Sequence, residues 1–127
     1  LSGLRLADLP GYGYARVSFS ERTRWSELME GYFRSGRNIK MVFQLIDMRH
    51  PPAESDLDML EFLRHSGFPH TVVLTKSDKL NKTEYAARLS AVPRELGEFG
   101  DAVIPFSSLN GNGKERIREI ISDCEEP

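Results

Sequence analysis

Leu74-Thr75-Lys76-Ser77-Asp78-Lys79 closes the apolar run Thr71 to Leu74. A β-branched strand that stops at Lys-x-Asp delivers an ammonium and a carboxylate to the rim of a sheet, where open α/β folds place their ligands. The two acceptor oxygens of Asp78 suit the N1–H and exocyclic N2–H donors along the edge of guanine, a pair that adenine does not offer. The stem of Lys76 is long enough to lie along the flat face of a base while its ammonium reaches a neighbouring loop. The same residues also fit a plain strand end followed by a solvated charge cluster, so the rest of the chain has to decide between them.

Two further strand ends carry polar groups. Leu4-Arg5-Leu6-Ala7-Asp8-Leu9-Pro10-Gly11 reads as a short strand ending in Asp-x-x-Gly, and Val103-Ile104-Pro105-Phe106-Ser107-Ser108 as a strand ending in two serines. In this order, the three ends hold the polar elements that a guanine-nucleotide site needs.

Composition bounds the reading. The 127 residues fit one domain spanning 1–127, and 39% hydrophobic with 28% charged residues describes an ordinary globular protein. No apolar run approaches the ~18 residues of a membrane span and no signal peptide is visible, so the expectation is a soluble intracellular protein without a membrane partner. Cys124 is a single cysteine on an apolar helical stripe, which fits a buried structural thiol better than a nucleophile. With 17 basic and 19 acidic residues, overall charge advertises no nucleic-acid partner. Leu1-Ser2-Gly3 precedes the first strand directly, without a start methionine, which suggests a fragment.

Between the motifs, strand and helix alternate. Pro10-Gly11-Tyr12-Gly13-Tyr14 is a loop whose glycines can take positive φ or let a phosphate approach. Ser18 or Ser20 could cap a helix carrying Trp25, Leu28, Met29, Tyr32 and Phe33 as a core stripe, with Gly36 placed to end it. Residues 16–40 hold six basic side chains (Arg16, Arg22, Arg24, Arg34, Arg37, Lys40) against three acidic ones, a solvated face or an RNA contact. Ile39 to Asp47 lacks clean alternation and fits a strand covered on both faces. His50-Pro51-Pro52 breaks it; lacking a second ligand or a nucleophile nearby, His50 reads as loop structure. A helix over 53–65 turns Leu57, Leu60 and Leu63 inward and stops at Gly67-Phe68-Pro69. Tyr85, Leu89, Val92 and Leu96 mark another, which Pro93 should kink or divide. Asn110-Gly111-Asn112-Gly113 is a turn before a last helix striped by Ile117, Ile120, Ile121 and Cys124. Four strands alternating with four helices predict a parallel α/β sheet.

Asp8-Leu9-Pro10-Gly11-Tyr12-Gly13-Tyr14-Ala15, Trp25, Asp47-Met48-Arg49-His50-Pro51-Pro52, Asp56, Thr75-Lys76-Ser77-Asp78-Lys79 and Pro105-Phe106-Ser107-Ser108 together closely resemble the EngB family, also called YihA or YsxC. The Gly-Tyr-Gly-Tyr and Arg-His-Pro-Pro runs are far more specific to it than the generic signatures. The resemblance covers essentially the whole chain. It implies a P-loop GTPase of Ras-like fold, a mainly parallel sheet with flanking helices, that binds GTP or GDP with Mg²⁺ in assembly of the large ribosomal subunit. The precursor subunit and its rRNA would be partners, with a link to cell division and septation. The location would be cytoplasmic, or organellar in a eukaryote.

By that resemblance Asp8 would hold Mg²⁺ through a water, and Asp8, Leu9, Pro10 and Gly11 would meet the nucleotide, Gly11 N–H facing the γ-phosphate. Tyr12, Gly13 and Tyr14 would form the switch. Thr75, Lys76, Ser77 and Asp78 would be the base loop, Thr75 standing where asparagine is usual, and Ser107, Ser108 and Leu109 would offer a backbone N–H to guanine O6. Tyr12 stands where a water-positioning glutamine is frequent, which implies slow hydrolysis awaiting another group, or a tyrosine that merely packs over the switch.

No Gly-x-x-x-x-Gly-Lys-Ser/Thr occurs in the 127 residues. The resemblance therefore implies the C-terminal part of the domain, with first strand, P-loop and first helix absent, no catalytic residue of its own and weak or absent nucleotide and Mg²⁺ binding. Loss of a central strand would leave two edges open, predicting either direct pairing of the Asp8 strand with the 39–47 strand or self-association. A reading from a different class is a non-catalytic RNA- or ribosome-binding module that uses the Arg-rich face of residues 16–40.

Overall fold

The computed structural model describes residues 3–9, 11, 19–99 and 102–125, with side chains of the first helix described from residue 24 onward. The elements run α1 (Phe19–Phe33), β1 (Val42–Asp47), α2 (Glu54–Ser66), β2 (His70–Thr75), α3 (Lys82–Leu96), β3 (Val103–Pro105) and α4 (Lys114–Glu125). Short 3₁₀ turns cover Ser77–Lys79 and Gly97–Phe99.

Because α2 and α3 each carry the chain back across the sheet, the strands lie parallel in the order β1-β2-β3. The register runs from Val42 beside His70 to Asp47 beside Thr75, and from Val72 beside Val103 to Leu74 beside Pro105. All three strands therefore end at one rim, which brings Asp47, Thr75 and the turn after Pro105 together. β2 is central, and Thr71 to Leu74 are all buried, as expected for a parallel strand without alternation.

One contiguous core joins Ile46, Met48, Leu60, Val72, Leu74, Val92 and Leu96, so β1 and β2 are sealed by α2 and α3. A second, aromatic cluster packs Phe33 of α1 against Phe62 at 5.6 Å and Phe68 at 5.0 Å between ring centroids. Helix ends follow local chemistry. Asp56 accepts from Ala53 N–H at 2.8 Å before α2, and Gly67 ends it at φ 77° with Phe68 N–H bonded to Leu63 O. Asn81 and Glu84 form a reciprocal capping box on α3, which gives Asn81 a structural role.

Several expectations are corrected. Residues 4–9 form no strand, so the sheet among the described residues has three strands rather than four, and the direct pairing of an Asp8 strand with β1 is not made. A strand exists through its ladder, and none of the described strands runs beside 4–9. β1 begins at Val42, since Ile39 N–H still turns back to Arg37 O at 3.0 Å. Its second face is not covered by described residues at Leu45, which is 63% exposed. Ser20 lies inside α1 rather than capping it, and Ser18 lies outside the described residues. Leu28 and Leu89 face solvent although their spacing put them in the core stripes. Pro93 does not divide α3: the N–H it lacks would have met the carbonyl of the exposed Leu89, where water can serve instead.

Candidate functional site

Three segments build the rim. After β2, Lys76 takes φ 61°, a left-handed conformation that few side chains adopt, and so turns the chain inward. Ser77 becomes buried, its N–H bonded to Phe106 O at 3.1 Å, and Asp78 is left half-buried facing the turn after β3. There Ser107 Oγ donates to Asp78 Oδ1 at 2.7 Å. The same oxygen accepts from Leu109 N–H at 3.1 Å and Asn110 N–H at 3.2 Å, so a fully buried hydroxyl has its donor and both lone pairs in use. Asp78 Oδ2 meets no donor among the described residues, and Ser108 N–H meets no acceptor. The rim thus carries one carboxylate oxygen on the loop after β2 and one amide N–H on the turn after β3, an acceptor and a donor of the kinds a lactam edge pairs with.

Asn112 joins this turn to the loop after β2. Its Nδ2 donates to Ser77 Oγ at 3.1 Å and to Tyr85 Oη at 3.2 Å, while its backbone carbonyl accepts from Ser107 N–H at 3.0 Å. An open hollow of about 270 Å³ lies beside Asp78, with Ser77, Tyr85, Asn110 and Asn112 in its walls.

The end of β1 adds charge. Arg49 donates to both oxygens of Asp47, with Nη2 2.8 Å from Oδ2, and Lys76 Nζ stands 3.5 Å from the same oxygen. The side-chain hydrogen bonds from Arg49, aided by the charges of Arg49 and Lys76, hold the Asp47 carboxyl well below the usual carboxylate range despite opposition from burial. Asp47 in turn pushes the Arg49 guanidinium up, and the charge of Asp78 contributes. The loop behind this pair is held by Arg88 of α3, whose Nε donates to Met48 O at 2.7 Å and whose Nη2 donates to His50 O at 3.0 Å. Glu95 grips the other side of that guanidinium at 2.7 and 3.0 Å.

Of the residues singled out from sequence, Lys76, Ser77, Asp78, Ser107, Ser108 and Leu109 come together on this rim. Thr75 turns its hydroxyl to Ile46 O at 3.4 Å, across to β1. Asp8 and Gly11 are exposed and Leu9 is partly buried, with no hydrogen bond or ion pair to residues 75–79 among the described residues. Pro10, Tyr12, Gly13 and Tyr14 lie outside the described residues. His50 is exposed and contributes its carbonyl, not its ring, to the Arg88 contact. Two contributors escaped the sequence reading, Arg88 and Asn112. Arg88 could have been found: Tyr85, Arg88, Val92 and Leu96 recur at helical spacing, so a charged residue sits in the apolar stripe. Asn112 gave no such signal in a turn already explained by its glycines.

Among the described residues no group of three or more acidic, histidine or cysteine side chains could hold a metal ion. A lone exposed carboxylate such as Asp8 suits only Mg²⁺ that takes most of its ligands from water and phosphate. No described helix is long and apolar enough to cross a membrane.

No protein-family model matches the chain. It is 43% identical over 116 residues to the "Probable GTP-binding protein EngB" of Thermotoga petrophila, covering 91% of this chain and 60% of that protein. The proteins of the same name from Gemmatimonas aurantiaca and Bacillus cytotoxicus are each 42% identical, over 91% and 93% of this chain and 57% and 60% of their own lengths. The chain thus spans about three-fifths of these relatives. Its fold matches a solved structure described as a probable GTP-binding protein engB, with TM-score 0.74 over 92% of this chain and 74% of that one, at 19% identity.

Proposed function

We propose, from the premise that the chain belongs to the EngB family, that its rim reads the Watson–Crick edge of guanine within a GTP-binding, GTP-hydrolysing protein. The observation that carries this reading is the 2.7 Å bond from Ser107 Oγ to Asp78 Oδ1. It aims the carboxylate beside the turn and leaves Oδ2 for the N1–H and N2–H donors of the base. Leu109 N–H is engaged by Ser107, so Ser108 N–H is the donor left for O6. Lys76, its ammonium drawn towards Asp47, would lay its stem against the base, and Thr75 and Ser77 would shape the loop. An adenine nucleotide would leave these groups desolvated and unpaired, a mismatch that sites of this kind reject by roughly 10⁴ or more.

The phosphate end rests on the family resemblance. Asp8 would hold Mg²⁺ through water, Leu9, Pro10 and Gly11 would approach the γ-phosphate, and Tyr12, Gly13 and Tyr14 would move as the switch. Bound there, Mg²⁺ would neutralise charge developing on the transferred phosphoryl group. With no phosphate-cradling Gly-rich motif in these 127 residues, they are not expected to hydrolyse GTP by themselves. For the whole protein we propose the family's role in large-subunit ribosome assembly, with rRNA as partner and effects on division, in the cytoplasm.

Titration of fluorescent GDP and ATP analogues against the full natural protein tests the site. Guanine should be preferred by orders of magnitude and Asp78→Ala should abolish the preference; equal binding of both nucleotides, or indifference to the substitution, would overturn the reading. The RNA-module alternative finds less support, because Arg34 reaches Glu30 at 4.0 Å and Arg37 lies over the Tyr32 ring at 4.8 Å.

A further inference from the structure

We infer that Asn112 is a positioning residue for base specificity, setting the separation between the two groups that read opposite ends of the guanine edge. The inference rests on the guanine reading above and adds to it a residue lying outside the base loop and the two serines. Asp78 and Ser108 sit on different segments, after β2 and after β3. An acceptor and a donor on separate loops discriminate only if their spacing is held, because a loop that can drift accommodates an amino group where a carbonyl belongs.

The spacing is held by a closed ring. Asp78 Oδ1 takes the Ser107 hydroxyl, Ser107 N–H bonds to the Asn112 backbone carbonyl, the Asn112 side chain donates from Nδ2 to Ser77 Oγ, and Ser77 is covalently joined to Asp78. Ser77 is 3% exposed and Ser107 fully buried, so each hydrogen bond of the ring has one end shielded from competing water, while Asp78 and Asn112 border the open hollow. The second Nδ2 proton goes to Tyr85 Oη, anchoring the ring to α3. The turn itself is shaped to deliver this side chain. Asn110 Oδ1 accepts from Asn112 N–H at 2.9 Å, and Gly113 sits so close to β3 that a Cβ would come 2.2 Å from Pro105 O.

The two ends of the base depend on this ring unequally. Asp78 keeps its place through the backbone of the 77–79 turn and the Ser77 N–H bond to Phe106 O, whereas Ser108 N–H lies on the turn that Asn112 tethers. Removing the Asn112 side chain should therefore loosen reading of the 6-position and spare reading of the 2-amino group.

Dissociation constants of the full natural protein for three diphosphates separate these effects. GDP carries both groups, the hypoxanthine analogue lacks the 2-amino group, and the 2,6-diaminopurine analogue replaces the 6-carbonyl by an amine and loses the N1 proton with it, so displacement of Asp78 lowers both ratios whereas displacement of Ser108 lowers the diaminopurine ratio alone. In Asn112→Ala the preference for GDP over the diaminopurine nucleotide should fall about tenfold, the effect of about one hydrogen bond, while preference over the hypoxanthine nucleotide changes less than twofold. Tyr85→Phe, which removes only the anchor to α3 and keeps the fold if Asn112→Ala does not, should lower the first ratio about threefold and spare the second. If either variant leaves both ratios unchanged, or lowers both together, Asn112 has no selective part in reading the base. A wild-type protein that does not prefer GDP over ADP defeats the guanine reading itself, and this inference with it, before any variant is made.

Discussion

At the scale of single residues, Asp47 and Gly113 show how one contact decides an effect. Asp47 has its folded pKa depressed by Arg49, so its contribution to stability is present above the ordinary carboxylate value of about 4 and is lost as pH falls below that towards the folded value. Stability should be flat in this respect above about pH 5. Urea melts at pH 3 should show the Asp47→Asn variant losing less with acid than the parent, by about 1 kcal/mol or less, because Arg49 is 39% exposed and solvent screens the pair. Gly113 and Gly111 both have positive φ, 78° and 80°, yet an added Cβ meets nothing within 4 Å at Gly111 and the Pro105 carbonyl at Gly113. Gly111→Ala should destabilise by about 1–2 kcal/mol through its backbone alone. Gly113→Ala should lose at least about 3 kcal/mol, because α4 must move off β3; equal midpoints for the two variants would contradict this.

Elements are tied together here by side chains that reach backbone. α3 carries Arg88 within its apolar stripe, and its side chain, 15% exposed, bridges Glu95 to two carbonyls of the loop after β1 through the guanidinium. Arg88→Met leaves both carbonyls and Glu95 short of a partner and should destabilise by about 3 kcal/mol. Arg88→Met with Glu95→Leu should recover part of the loss, since the stranded carboxylate is then gone, and a double-mutant cycle in urea measures the coupling. Additive losses would mean that the two residues act independently. The exposure of Leu28 on α1 and Leu89 on α3 belongs to this scale as well. Periodicity marks a helix and its rough apolar side, but which residues at the border of the stripe are covered depends on what packs opposite.

For the whole molecule, association turns on β1. No described strand pairs with its outer edge, and Leu45 is 63% exposed on the adjoining face, which no described residue covers there. Edges of this kind recruit other strands. The 127-residue chain alone should associate with rising concentration in sedimentation velocity, and Leu45→Lys should shift it towards monomer; a monomer at all concentrations would count against the edge as a contact. The order of strands and helices from β1 onward, the breaks at Gly36, Gly67 and the Asn-Gly turn, and the placing of Asp78 at a strand end were all legible in sequence, because each rests on local periodicity or on the conformational limits of glycine and proline. The same local reading put a strand in Leu4 to Gly11, where no described neighbour supplies a ladder to residues 4–9. The residues alone determined a parallel α/β chain with a carboxylate carried to its rim. Tertiary structure decided the aim of that carboxylate, through Ser107 29 residues away, and the supports given by Asn112 to Ser77 and Arg88 to Met48 across 35 and 40 residues. Hydrogen bonds between segments so far apart leave no mark on periodicity, and they form only once the sheet has brought its strand ends side by side.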